Sequence, residues 1–115
     1  IGGITPARKY AAMAELMGVP LFKAGQRIAV GQAAHLQLDL NISNFGIQEE
    51  AIYSDKIKEI FPGAPEIRDG FMWSNGEPGL GIDINEELAA KYPHNEEGGG
   101  HFDNVRRADG TVVRP

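Results

Sequence analysis

The sequence contains no cysteine, which excludes disulfide bonds and thiolate metal sites and is compatible with a reducing cytoplasm. It also lacks any block of like charge. The formal charge of −5 is dispersed along the chain, so no basic stripe is available to neutralise phosphates, and nucleic acid is not an expected partner. No apolar run approaches the roughly 20 residues that cross a bilayer, and the first residues lack the charged-then-apolar pattern of a secretory signal. No membrane partner is expected, and the expected location is cytoplasmic. Histidine is scarce: His35, His94 and His101 share neither a helical face nor a ligand spacing, and Asp103 beside His101 adds little. No internal repeat of useful length is present.

What is present suits a globular α/β chain of 115 residues, 42% of them hydrophobic. Gly2-Gly3-Ile4-Thr5-Pro6-Ala7-Arg8-Lys9 reads as the exit of a strand running straight into a helix, with Thr5 as cap and Pro6 at the first helical position. Tyr10, Met13, Ala14 and Met17 recur at i, i+3, i+4, i+7 and form one apolar face. Gly18 ends this helix, Pro20 discourages its continuation, and Val19 to Phe22 is a short strand. Lys23 to Ile28 is a loop. A second helix from about Ala29 to Leu40 puts Ala29, Ala33, Leu36 and Leu40 on one side, although Leu36 to Leu40 taken alone alternates like a strand. Asn41 to Asn44 breaks the chain before a second strand, Phe45 to Gln48. Helix, strand, helix, strand with short connections points to parallel βα units. Two strands close neither a barrel nor a protected sheet, and they leave edges and an apolar helix face uncovered, so further sequence is expected to complete them.

Beyond Glu50 the character changes. A short helix around Ser54 to Ile60 is followed by Phe61-Pro62-Gly63-Ala64-Pro65, which stops regular structure. Asp69-Gly70 and Asn75-Gly76 are turn signals around the strand-like Phe71-Met72-Trp73. Asn85 caps a brief helix with Glu86 and Glu87 in its first turn and Lys91 in its last, and Pro93 ends it. His94 to Gly100 is polar and glycine-rich, and Asp109-Gly110 separates the closing runs. The division drawn from this is 1–50 for the βα units and 51–115 for a loop-rich tail.

Several of these motifs, in this order, resemble the C-terminal part of a mannonate dehydratase, a sugar-acid dehydratase of the enolase superfamily related to the starvation-sensing proteins. They are Ile1 to Lys9, Asn44-Phe45-Gly46-Ile47-Gln48-Glu49, Phe61-Pro62-Gly63, Asp69-Gly70, Pro78-Gly79-Leu80-Gly81-Ile82-Asp83-Ile84, Ala89-Ala90-Lys91-Tyr92-Pro93, and Arg106-Arg107 through Pro115. The resemblance implies the last portion of a modified TIM barrel, with a tail folding back toward an N-terminal cap. It also implies a homo-oligomer and chemistry at the C-terminal ends of strands. Such enzymes bind Mg²⁺ through acidic residues on earlier strands, abstract the proton beside the carboxylate and eliminate water through an enediolate-like intermediate. None of those strands is present, so no metal ligand and no principal catalytic residue is assigned here, and the piece alone is expected to be inactive and marginally stable. The implied substrates are six-carbon aldonic acids such as mannonate or gluconate, giving a 2-keto-3-deoxy acid.

By this resemblance Glu49 matches the substrate-facing glutamate at the end of the last barrel strand. Where the family reads His-Gly-Pro-Gly-Asp, this chain has Phe22-Lys23-Ala24-Gly25-Gln26. Phe22 neither donates nor accepts a proton, so that acid/base position is lost. Lys23, Gln26 or Arg27 could hold the sugar acid instead, and Trp73 could close the pocket from the tail. The alternatives are a non-catalytic member that binds a small acid or a protein partner in regulation, and an independently folded domain of unrelated role.

Plainer readings stand beside these. Glu49 and Glu50, adjacent on a strand, point to opposite faces and do not form an acid/base couple. Without the resemblance Glu49 is an ordinary surface charge. His35 packs or hydrogen-bonds on its helix, Gly79-Leu80-Gly81 is a tight turn rather than a phosphate cradle, and Phe71, Met72 and Trp73 bury against a neighbouring element. Arg106 and Arg107 are tail ion-pair partners.

Overall fold

The first helix starts on a glycine. In this computed structural model, which describes residues 2–24 and 28–93, Gly3 adopts φ 103 and serves as the N-cap of α1 (Ile4–Leu16). The expected cap, Thr5, lies inside the first turn together with Pro6. The first N–H groups of a helix have no intrahelical acceptor, so a proline there loses nothing. At the other end Gly18, at φ 66, closes α1 as expected. Its N–H bonds the Glu15 carbonyl at 2.9 Å and the Val19 N–H bonds the Ala14 carbonyl at 2.9 Å, the paired bonds of a Schellman motif.

Strand β1 (Leu21–Lys23) begins and ends slightly later than expected, and α2 (Ala29–Asp39) leads to β2 (Phe45–Gln48), whose bounds are those read from the sequence. The two strands are parallel, pairing Leu21 with Phe45, Phe22 with Ile47 and Lys23 with Gln48. The register slips between Leu21 and Phe22, where Gly46 is the extra residue. A Cβ on Gly46 would stand only 3.0 Å from the Leu21 carbonyl oxygen. Asn44 anchors the entry to β2 by donating to the carbonyls of Ala11, at 3.1 Å, and Val19, at 3.0 Å.

Helix α2 buries Ala29, Gln32, Ala33, Leu36 and Leu38, and Leu40 falls outside as an exposed C-cap. Helix α1 departs from expectation. Tyr10, Met13 and Met17 are 56%, 59% and 75% exposed, and only Ala11 is buried. Helix α1 lies against α2, and the residue it buries is the small Ala11 rather than the bulky side chains of its periodic face. The core is therefore a thin layer of Ala11, Ala29, Ala33, Leu36 and Leu38, with Tyr53 added from the loop after β2.

An ion pair crosses from strand to helix. The Lys23 ammonium on β1 meets the Asp39 carboxylate on the last turn of α2, with 10% and 6% of the two side chains exposed. It also donates to the His35 carbonyl at 3.4 Å.

The tail holds α3 (Asp55–Ile60), a hairpin of β3 (Glu66–Arg68) and β4 (Phe71–Trp73), and α4 (Glu86–Ala89). The hairpin turns on Asp69 at φ 53 and Gly70 at φ 79, the positive pair that a two-residue I′ turn requires. Asn85 caps α4 as expected, its Oδ1 accepting from the Leu88 N–H at 3.0 Å, but Lys91 lies beyond the helix. Backbone bonds from Asp83 to Pro62, at 2.9 Å, and from Asn85 to Ile60, at 2.8 Å, stitch the tail to α3. Gly63, at φ 85, sits so close to Gly81 that a Cβ on it would collide with the Gly81 carbonyl oxygen. The expected tight turn at 78–81 is present, with Gly81 N–H on the Pro78 carbonyl at 3.3 Å.

Two stability outcomes follow, both read by denaturant unfolding. D39A, which leaves a buried ammonium unpaired, lowers stability by roughly 3 kcal/mol or more, whereas the double variant K23M/D39L loses much less. G63A loses more than about 1 kcal/mol through the left-handed backbone and the collision together.

Candidate functional site

Parallel pairing sorts the side chains at the strand ends onto two faces. Phe22 and Ile47 are register partners, so they share a face, and both are open, at 68% and 61% exposed. Glu49, one residue beyond Gln48, returns to that same side by the two-residue alternation of an extended chain and is exposed there. Its backbone N–H bonds the Lys23 carbonyl at 2.9 Å, which is the last rung between the two strands. The open face thus presents a carboxylate beside two apolar side chains.

The opposite face looks into the α-layer. Leu21 and Lys23 line a cavity of about 430 Å³ together with Ala7 and Tyr10 of α1 and His35 and Leu38 of α2. Burial pushes the Asp39 carboxyl above its ordinary value, and the Lys23 ammonium pulls it back down in part. Burial lowers His35, and Lys23 lowers it further.

Glu50 belongs to this inner face. Gln48 Nε2 donates to Glu50 Oε1, and burial, reinforced by the Asp39 and Glu49 carboxylates, pushes Glu50 up to about 7 against the opposing pull of the nearby Ala51 N–H and Gln32 amide. Tyr53, buried behind it, is raised by burial and then by Glu50. As expected, Glu49 and Glu50 stand on opposite faces.

Glu49 is placed at a strand end, on the open side. Lys23 is placed on the other side, its ammonium engaged by Asp39. Trp73 is 52% exposed on β4, under the Arg68 guanidinium at 5.3 Å, and lines a separate cavity with Lys58, Phe61 and Asn75 of which neither Glu49 nor Lys23 is part. Of its neighbours in the hairpin, Met72 is half-buried and Phe71 exposed. Gln26 and Arg27 lie outside the described residues, as do His94, His101, Asp103, Arg106 and Arg107. Sequence reasoning passed over Gln32, Asp39 and Glu50. The one available signal was Gln32, a polar residue at i+3 within the apolar arc of Ala29, Ala33 and Leu36.

Among the described residues no three His, Asp or Glu side chains come together as a metal site, and no helix is long and apolar enough to cross a membrane.

Comparison with known proteins places this geometry. The enolase C-terminal domain-like family matches residues 1–88. The chain is 49% identical, over its whole length, to the D-galactonate dehydratase family member RspA of Pantoea ananatis, and 49% identical to a member of the same family from Salmonella enteritidis. It spans 28% of the length of each. Among solved structures, an enolase from Pantoea ananatis with bound D-gluconate and Mg matches with TM-score 0.81 and 48% identity over 100% of this chain and 28% of that one. A mandelate racemase/muconate lactonizing enzyme from Jannaschia matches with TM-score 0.71 and 29% identity over 82% of this chain and 24% of that one. The relatives carry the galactonate rather than the mannonate name. The chain belongs to the enolase C-terminal domain-like family of the enolase superfamily, with the α/β fold of the closing units of a TIM-barrel enzyme.

Proposed function

We propose that this chain supplies the last βα units, residues 1–50, and the tail, residues 51–115, of a Mg²⁺-dependent sugar-acid dehydratase. The reaction would convert an aldonic acid of the gluconate, galactonate or mannonate kind to a 2-keto-3-deoxy acid. The observation that carries the reading is Glu49, exposed at a parallel strand end beside Phe22 and Ile47, in a chain whose solved relative binds D-gluconate and Mg. The metal would be held by acidic residues outside this chain. Glu49 would accept hydrogen bonds from sugar hydroxyls, while Phe22 and Ile47 wall off that side from water and orient the carbon skeleton. The exposed faces of α1 and of the β1–β2 pair suit burial against the remainder of such an enzyme, and a homo-oligomer of the whole is part of the proposal.

A second reading, a non-catalytic acid-binding or regulatory protein, is favoured by Phe22. It stands 68% exposed on the same face as Glu49, where the resemblance calls for a histidine, and carries no proton to give.

The test is Mg²⁺-dependent dehydration of D-gluconate, D-galactonate and D-mannonate by the full-length protein. Turnover of at least one is expected, and E49Q should lower kcat/KM by about 10- to 100-fold, the worth of a hydrogen bond to a charged group. Binding without turnover would select the second reading, and F22H should then restore measurable dehydration.

A further inference from the structure

Behind the strand ends lies a polar cluster that the function above does not use. Gln32 of α2 is fully buried, at 0% exposed, in an arc otherwise formed by Ala29, Ala33 and Leu36. Both of its amide atoms lack a well-formed hydrogen bond, as do Glu50 Oε2 and Asp39 Oδ2. Gln32 nevertheless lies near enough to Glu50 to favour its charged form. Polar atoms in a low-dielectric interior are expensive to leave unmatched, so this arrangement calls for a partner or a proton. Glu50 Oε1 takes the bond donated by Gln48, and its other oxygen faces a buried interior without a well-formed hydrogen bond.

The position along the chain gives this cluster its consequence. Among the described residues the Glu49 N–H on the Lys23 carbonyl is the bond furthest along the two strands, so the chain beyond it is steered by whatever holds Glu50. Glu49 and Glu50 share a peptide bond and point to opposite faces, so a shift of one turns the other.

We propose that Glu50 is a positioning residue: anchored to Gln48 and set against Gln32 and Asp39, it holds the chain just past β2 so that Glu49 is aimed from the open face. The inference rests on the reading of Glu49 given above. A proton on Glu50 strengthens the hold, because a carboxylic acid can donate to the unmatched Gln32 oxygen while its repulsion from neighbouring carboxylates disappears. The titratable groups that act on or face Glu50 are Asp39 of α2, Glu49 beside it and Tyr53 behind it, and Asp39 is in turn flanked by Lys23 of β1 and His35 of α2. The hairpin contributes only Ile67, Gly70, Phe71 and Met72 to the cavity that Glu50 lines, none of them titratable.

The pH window follows from the sign of the shift. With the folded value raised from 4.5 to about 7, the stabilisation from protonated Glu50 is full below 4.5 and is lost as pH rises through 7. The wild-type melting temperature should therefore fall across that window relative to E50Q, which cannot ionise there.

The experiment uses the full-length protein and its E50Q and E50A variants, with hydrogen exchange of the 45–53 segment, corrected for intrinsic rates, and D-gluconate affinity, both from pH 5.5 to 9. Protection and affinity in the wild type should weaken through pH 7. E50A should lose protection at every pH and bind about tenfold more weakly, the scale of one lost charge-assisted hydrogen bond, and E50Q should rescue both while removing the inflection. An inflection that survives in E50Q, or E50A affinity equal to wild type, overturns the proposal. If the wild type binds no sugar acid, the ligand reading fails separately and exchange alone decides: protection lost in E50A and kept in E50Q upholds the anchor, and unchanged protection overturns it.

Discussion

The buried ion pair between Lys23 and Asp39 is the interaction on which the arrangement of the strand ends depends. It joins the last residue of β1 to the last residue of α2, and so fixes which side of the two-stranded sheet faces the helices. Once Lys23 is turned inward, alternation sends Phe22 outward, and parallel register sends Ile47 with it. Such a pair contributes little net stability because both charges are desolvated. Its effect is directional: a strand slipped by one residue would bury Phe22 against α2 and strand the Asp39 carboxylate.

The thinness of the core follows from the same arrangement. Only Ala11 of α1 is buried, while Tyr10, Met13 and Met17 stay exposed and the Phe22 and Ile47 face is open. These are surfaces of the size and character that enclosing elements normally cover. The chain spans 28% of the length of the Pantoea ananatis relative. The tail solves its own problem differently, through close backbone approach at Gly63 and Gly81 and through Asn75, whose amide reaches the Gly81 carbonyl at 2.6 Å. Little apolar burial is needed where turns are held this way.

Much of this was legible before any coordinates. Gly18, Asp69-Gly70 and Asn85 each announce a backbone geometry that few other residues tolerate, and β2 lay between two unmistakable breaks. The face of α1 was not legible, because periodicity reports where bulky apolar residues recur and not which side the next helix will choose; small residues won over large ones. Strand β3 was missed because Glu66-Ile67-Arg68 is short, charged and exposed, a hairpin edge rather than a core strand. Lys23, Asp39 and Glu50 are spread over three elements, and only the parallel crossover brings them together. Glu49 was reached through resemblance, since an exposed glutamate carries no signal of its own.

The two glutamates at the end of β2 show how one strand serves two environments. Glu49 is exposed on the open side. Glu50, half-buried behind it, meets Asp39 and loses solvent, and its carboxyl rises to about 7. Identical side chains one peptide apart thus meet different surroundings, one exposed and one half-buried. A substitution that conserves charge at Glu50 is therefore not conservative, because this residue is placed to be able to give its charge up near neutral pH.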